Sequence, residues 1–161
     1  MFFKTFLAAG ALASAAAILP GLALADDPAT RNAERYAALV TTVFNQGNLD
    51  SAAQYFAPSF IDHAPWPGHP ADVEGFKAGL AELRQSFPDL HVSVARTIAQ
   101  GDLLAVQFRL SGSHLGPFMG APATGKTFSI EAIDIVRMED GRIAEHWGLI
   151  DTAALAAQLG L

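Results

Sequence analysis

Phe128-Ser129-Ile130-Glu131-Ala132-Ile133-Asp134-Ile135-Val136 is the run whose spacing settles what kind of fold this chain adopts. Phe128, Ile130, Ala132 and Val136 recur at every second position, the signature of a strand with one face on a core. Asp134 falls in the same phase. Side chains alternate across a strand, so its carboxylate points wherever the apolar face points. Glu139-Asp140-Gly141 then reads as a turn into a further strand, Ile143 to Ile150. Upstream, Leu104, Val106, Phe108 and Leu110 alternate in the same way. Before the Gly101-Asp102 turn, Leu90, Val92, Val94 and Ile98 do so too. A Gly/Pro-rich loop spans residues 112–125.

Ahead of the strands the period is helical. Asp27-Pro28 supplies an N-cap and a proline at the first helical position. Tyr36, Leu39, Val40, Val43 and Phe44 follow at helix spacing up to Gly47. Asp50 caps a short helix through Tyr55-Phe56, stopped by Pro58. Asp72 caps a third that carries Phe76, Leu80 and Leu83 to Phe87-Pro88, and Asp151 caps a short terminal one. Between the second and third lies a Pro- and His-rich segment, residues 60–70. Helices first and a strand meander second make an α+β fold, one cone-shaped domain with helices packed on the concave face of a curved antiparallel sheet.

The first 25 residues stand apart. Met1 to Lys4 is a short charged region, Phe6 to Leu19 an apolar one, and Ala23-Leu24-Ala25 offers the small residues a signal peptidase reads. The apolar stretch is short for a bilayer span. A mature chain starting at Asp26, periplasmic or secreted, is therefore expected, with residues 26–161 as its single domain and no membrane attachment. That chain keeps nine of the ten Lys and Arg and all sixteen Asp and Glu, a net of −7. Nucleic acid is a disfavoured partner. With no cysteine in the sequence, neither disulfides nor thiol catalysis is available, so the domain must bury a real core.

Gly120-Ala121-Pro122-Ala123-Thr124-Gly125-Lys126-Thr127 matches the P-loop expression, but the residues beyond it alternate as a strand. No helix N-terminus follows to hold phosphate, so no nucleotide is expected. The histidines show no clustered metal-ligand spacing. His91 is out of phase with its strand's apolar face and reads as solvated. His63 and His69 flank Ala64-Pro65-Trp66-Pro67-Gly68, a stiff aromatic loop that shapes a pocket mouth or is simply anchored by Trp66. His114 is in phase with Phe108 and Leu110 if that strand continues, which directs it inward as either a satisfied core histidine or a functional one. For Asp134 two readings stand side by side. It is a buried carboxylate satisfied by Trp, Tyr or backbone donors or paired with a cation such as Arg109, or it is a desolvated pocket base.

Phe60-Ile61-Asp62-His63-Ala64-Pro65, Phe87-Pro88-Asp89-Leu90-His91-Val92, the stretch from Gly112-Ser113-His114 to Lys126, Ile133-Asp134-Ile135-Val136-Arg137 and Asp140-Gly141-Arg142-Ile143-Ala144-Glu145-His146-Trp147 together resemble the SnoaL-like polyketide cyclase and ester cyclase family in order and spacing. That family lies within the nuclear-transport-factor-two-like superfamily, which also holds ketosteroid isomerase. Ala123 stands where the family usually has a second proline. The resemblance implies cofactor-free and metal-free acid/base chemistry, such as intramolecular aldol closure, with Asp134 and His114 as the positional matches for the catalytic pair. Glu131 is the runner-up, in the opposite phase. It implies a pocket for a small hydrophobic molecule, with His63, Trp66, Phe108, Phe118, Phe128, Ile130 and Trp147 expected to contact it. It also implies a homodimer through the outer sheet face that carries Leu103, Ala105, Gln107 and Arg109.

Three functional classes follow from this reading. One is a cyclase, isomerase or hydrolase acting on a small carbonyl compound. Another is a non-catalytic exported binder of a hydrophobic molecule. The third is a structural protein whose cone is filled by its own side chains. Pocket volume separates the third from the others, and proton chemistry separates the first two.

Overall fold

The computed structural model describes residues 27–161. The signal peptide expected over residues 1–25 lies outside the described residues. Helix α1, Pro28–Leu39, starts where the Asp27 side chain accepts the Ala29 N–H. It widens into a π-helical stretch, Val40–Asn45, and a 3-10 turn, Leu49–Gln54, follows. Strand β1 is Phe56–Asp62, helix α2 is Val73–Ser86, and strands β2 to β5 are His91–Gln100, Leu103–Ser113, Thr127–Glu139 and Arg142–Ile150. Helix α3, Thr152–Leu159, ends on Gly160 in the left-handed conformation. The sheet order is β1-β5-β4-β3-β2.

The three α-helices and the alternating strands lie where the sequence pattern places them, and the α+β class holds. The short second helix is a 3-10 turn capped by the Asn48 side chain, which accepts the Ser51 N–H, and Asp50, expected as its cap, lies inside it. Two further features differ. The first is β1, expected as a helix end and loop. Pro58 is tolerated there because β1 is an edge strand, irregular between Phe56 and Ile61, and it pairs parallel to β5 in an otherwise antiparallel sheet. That partner lies some 80 residues downstream, so no local signal announces it. The second is a bulge in β2 between Val94 and Arg96, which reverses the phase beyond it. Ile98 therefore leaves the inner face and stands 65% exposed, opposite Ala105.

The core fills the concave side. Leu104, Val106 and Val136 from the sheet pack with Val43 and Leu80 from the helices, all fully or nearly fully buried. Asn45 holds the helical layer to the sheet's free edge: its amide donates to the Val92 carbonyl at 2.9 Å and its carbonyl accepts the Val92 N–H at 2.8 Å. Asp140 and Gly141, with φ of 48° and 73°, form the tight turn between β4 and β5 and so fix which β5 residues face inward. The P-loop-like run leads directly into β4.

Candidate active site

One end of the cone is open. A cavity of about 250 Å³ lies between α1, α2 and the inner faces of β1, β3, β4 and β5, walled by aromatic rings such as Phe44, Phe56, Phe60, Phe76 and Phe108. Its polar lining is small: Tyr36, Asp62, Asp134, His146 and Thr152. Among the described residues no lysine or arginine lines it.

Four of those polar side chains form one chain of contacts. The Tyr36 hydroxyl donates to Asp134 Oδ2 at 2.7 Å. Asp134 Oδ1 lies 3.2 Å from His146 Nε2, and His146 Nδ1 lies 2.8 Å from Asp62 Oδ1. Asp62 Oδ1 also accepts the Ala64 N–H at 2.9 Å. Four separate elements deliver these groups: α1 brings Tyr36, the middle of β4 brings Asp134, and the parallel pairing of β1 with β5 sets Asp62 beside His146. Gly148 sits opposite Asp134 in the register. A Cβ at Gly148 would meet the His146 ring at 3.0 Å and Asp134 Oδ1 at 3.3 Å. Its missing side chain is what leaves the Asp134–His146 pair open to the cavity.

A carboxylate on each ring nitrogen matches a doubly protonated imidazole, which donates from both. Burial alone would lower the His146 pKa. The hydrogen bonds and negative charges of Asp134 and Asp62 outweigh it and raise the value to about 9. Burial likewise works to raise Asp62, and the hydrogen bond and charge of His146 reverse the direction, holding that carboxyl below its ordinary value. Tyr36 is pushed well above the usual phenol range by burial first and by the Asp134 charge second, so it stays a donor. At neutral pH the His146 ring therefore keeps both protons, Asp62 is a carboxylate and Tyr36 is a neutral phenol.

Of the residues expected to form the site, Asp134, Trp66 and Phe108 line the cavity. His114 is turned inward, as its phase implies, but the structure does not bring it to Asp134. It is completely buried, with Nδ1 3.0 Å from Thr124 Oγ1, and its ring packs on Phe87 and Phe118. Phe118, Phe128 and Ile130 share this fate. Phe87, the C-terminal cap of α2, has its ring centroid 5.0 Å from Phe118 and 4.9 Å from Phe128, and neither these two nor Ile130 line the cavity. His63 and Trp147 stack 4.5 Å apart on the opposite, outer face of the sheet, where His63 Nε2 meets Glu145 Oε2 at 2.9 Å. The reason is periodicity: with Asp62 and His146 pointing in, their neighbours 63, 145 and 147 point out. Glu131 is exposed and pairs with Arg109 at 3.2 Å. His69 contacts Glu82, and His91 is exposed.

Tyr36, Asp62 and His146 are the site residues that sequence reasoning missed. For His146 a signal existed, since it shares the phase of Gly148 and Ile150 against Glu145, Trp147 and Leu149. For Tyr36 and Asp62 there was none beyond an aromatic in an apolar helix stripe and an acid beside a histidine.

The model of the SnoaL-like polyketide cyclases matches residues 34–159, nearly the whole described chain. The chain belongs to this family. Among curated relatives, aklanonic acid methyl ester cyclase DnrD of Streptomyces peucetius is 31% identical over 123 residues, covering 73% of this chain and 83% of the relative. Nogalonic acid methyl ester cyclase of Streptomyces nogalater is 26% identical over 123 residues, covering 75% and 92%. Among solved structures, IdmH of Streptomyces antibioticus superposes with a TM-score of 0.72 at 33% identity, covering 81% of this chain and 99% of its own. TsrD of Streptomyces laurentii does so with 0.73 at 28%, covering 81% and 95%. The family's fold and the unclosed five-stranded sheet agree.

Proposed function

We propose that this chain is an exported, cofactor-independent acid/base enzyme that closes or isomerises a small, neutral, hydrophobic carbonyl compound, with Asp134 as the base. The observation that carries the reading is the single chain of contacts Tyr36–Asp134–His146–Asp62, open to a cavity that is otherwise almost wholly apolar. Asp134 takes a proton from the carbon α to a carbonyl. The negative charge moves from the carboxylate to the enolate oxygen, within reach of the same imidazolium or of the Tyr36 hydroxyl, so the charge balance of a poorly solvated site is unchanged. In an aldol closure the enolate carbon attacks a second carbonyl of the same molecule, and the resulting alkoxide takes the proton back from Asp134. Atoms and electrons balance without a co-reactant. His146 supplies the cation, and Asp62 orients it and keeps it protonated. The absence of lysine and arginine from the lining among the described residues, with the acidic side chains of Asp62 and Asp134 in it, favours a neutral ester or ketone over a free carboxylate.

Methyl benzoylacetate in D2O, a one-ring β-keto ester, provides the test. Its α-protons are expected to exchange faster with the protein than with buffer alone in proton NMR, and Asp134→Asn to return the rate to the buffer value. Equal rates for parent and Asp134→Asn would sink the assignment and leave a non-catalytic binder of small molecules.

Export and pairing belong to the same reading. A mature form beginning at Asp26 is the expected intact mass of protein recovered outside the cytoplasm, and a species retaining Phe2 to Leu24 would overturn export. For a homodimer the supporting feature is an apolar row on the outer face. Ile98, Ala105, Ile135 and Trp147 lie in register across β2, β3, β4 and β5, flanked by exposed Ile133 and Leu149. Sedimentation showing only monomer at micromolar concentration would remove it.

A further inference from the structure

Helices and strands supply every part of the cavity wall except one. Ala64, Pro65, Trp66 and Pro67, in the segment joining β1 to α2, form the only irregular stretch of lining among the described residues. Helix and strand positions are fixed by the core, so this stretch is where the size of the cavity is free to be set without altering the fold.

The segment is held firmly. Its start is tied by the Asp62 side chain to the Ala64 N–H, and its end by the Asp62 N–H to the Ala71 carbonyl at 3.0 Å. Midway, His69 Nε2 meets Glu82 on α2 at 3.2 Å. Trp66 itself rests on bare helix backbone. A Cβ at Gly79 would collide with Cγ, Cδ1 and Cβ of Trp66, the last at 2.7 Å, and one turn earlier a Cβ at Gly75 would collide with the Pro70 carbonyl. Glycine inside a helix costs about 1 kcal/mol relative to alanine. Two of them, one turn apart and both facing the strap, make a notch in α2 that accepts this segment.

We propose that Trp66, seated on Gly79, is the size-determining wall of the pocket, and that it restricts the chain to neutral one- and two-ring carbonyl compounds. The cavity volume agrees with that limit. A cavity of about 150 Å³ takes one benzene ring, and pockets for larger ligands begin at roughly 300 Å³, whereas this one measures about 250 Å³. The inference rests on the acid/base reading only for the carbonyl group. The size limit is a property of the wall.

The experiment uses three neutral β-keto methyl esters that differ only in their aryl group, phenyl, 2-naphthyl and 2-anthryl, with binding measured by calorimetry and α-proton exchange by NMR. The parent is expected to bind the phenyl and naphthyl esters and to bind the anthryl ester at least tenfold more weakly. Trp66→Ala should tighten the anthryl ester at least tenfold and weaken the phenyl ester. Trp66→Phe, which keeps a ring on Gly79, should fall between them and decides the matter alone if the alanine variant does not fold. Equal affinity of the parent for all three esters, or a uniform change on substitution, overturns the proposal. Size discrimination without exchange would support the wall and sink the acid/base reading, while exchange without size discrimination would overturn the wall and spare that reading.

Discussion

His146 and His114 are both turned into the cone, yet they sit in opposite surroundings. His146 has a carboxylate on each ring nitrogen and a cavity beside it. His114 has Thr124 on one nitrogen, no hydrogen-bond partner among the described residues on the other, and phenylalanine rings around it. The difference lies in what the rest of the fold carries to each end. At the open end, β1 contributes Asp62 and β4 contributes Asp134, and at the His114 end the C-terminal cap of α2 contributes Phe87. Inward orientation therefore does not make a histidine part of a site. The partners supplied by distant elements do.

The largest effect that could break this contrast is expected for His146→Gln. It removes the cation between Asp62 and Asp134 and leaves two carboxylates facing one another, so stability at neutral pH should fall by about 2–4 kcal/mol in denaturant titration. Exchange of methyl benzoylacetate should fall by about 10²–10³-fold through loss of the charged donor to the enolate. A variant that melts like the parent would mean that the buried cluster holds no ion pair.

Gly148→Ala comes next. The added methyl group would crowd both His146 and Asp134 Oδ1 at the mouth of the pair, and the exchange rate is expected to fall about tenfold while the melting temperature changes little. Full activity in this variant would show that substrate approaches the pair from another side.

Acidity sharpens the comparison at intermediate magnitude. His146 has a folded pKa of about 9 against an ordinary 6.5, so its contribution to stability is complete below pH 6.5 and is lost as pH rises through 9. Asp62 is lowered from 3.8, so its contribution is present above that value and is lost as pH falls through its folded pKa. The melting temperature should therefore peak between roughly pH 4 and 6.5 and decline toward pH 9, and the alkaline decline should vanish in His146→Gln. An identical alkaline decline in parent and variant would assign it to another group.

The smallest effect is expected at the other histidine. His114→Leu loses the contacts of Nδ1 with the Thr124 hydroxyl and N–H but also removes a buried nitrogen without a partner among the described residues, so stability should change by no more than about 1 kcal/mol and exchange not at all. A tenfold loss of exchange in a stably folded His114→Leu would return His114 to the chemistry and undo the contrast.

How much of the fold and the site is legible in the sequence depends on the range of the interaction that fixes each feature. The alternation around Asp134 is local, and it suffices to place β4 and to turn its carboxylate inward. The caps at Asp27, Asp72 and Asp151 and the Asp140-Gly141 turn are local as well, which is why the helices and hairpins fall where the pattern puts them. The bulge after Val94 is a matter of pairing register, and the period-two reading of Ile98 fails there. Trp66 and Phe108 lie beside the cavity as expected, whereas His63 and Trp147 go to the outer face once β1 has paired with β5.

By itself, then, the sequence determined the α+β class, the order of helices and strands and the inward carboxylate of Asp134, because each follows from the few residues on either side. Only the tertiary structure decided that Tyr36, Asp62 and His146 are that carboxylate's companions and that Phe87 packs on His114, Phe118 and Phe128. Those contacts join residues up to 98 positions apart, and a strand's alternation says which way a side chain points without saying what it will meet.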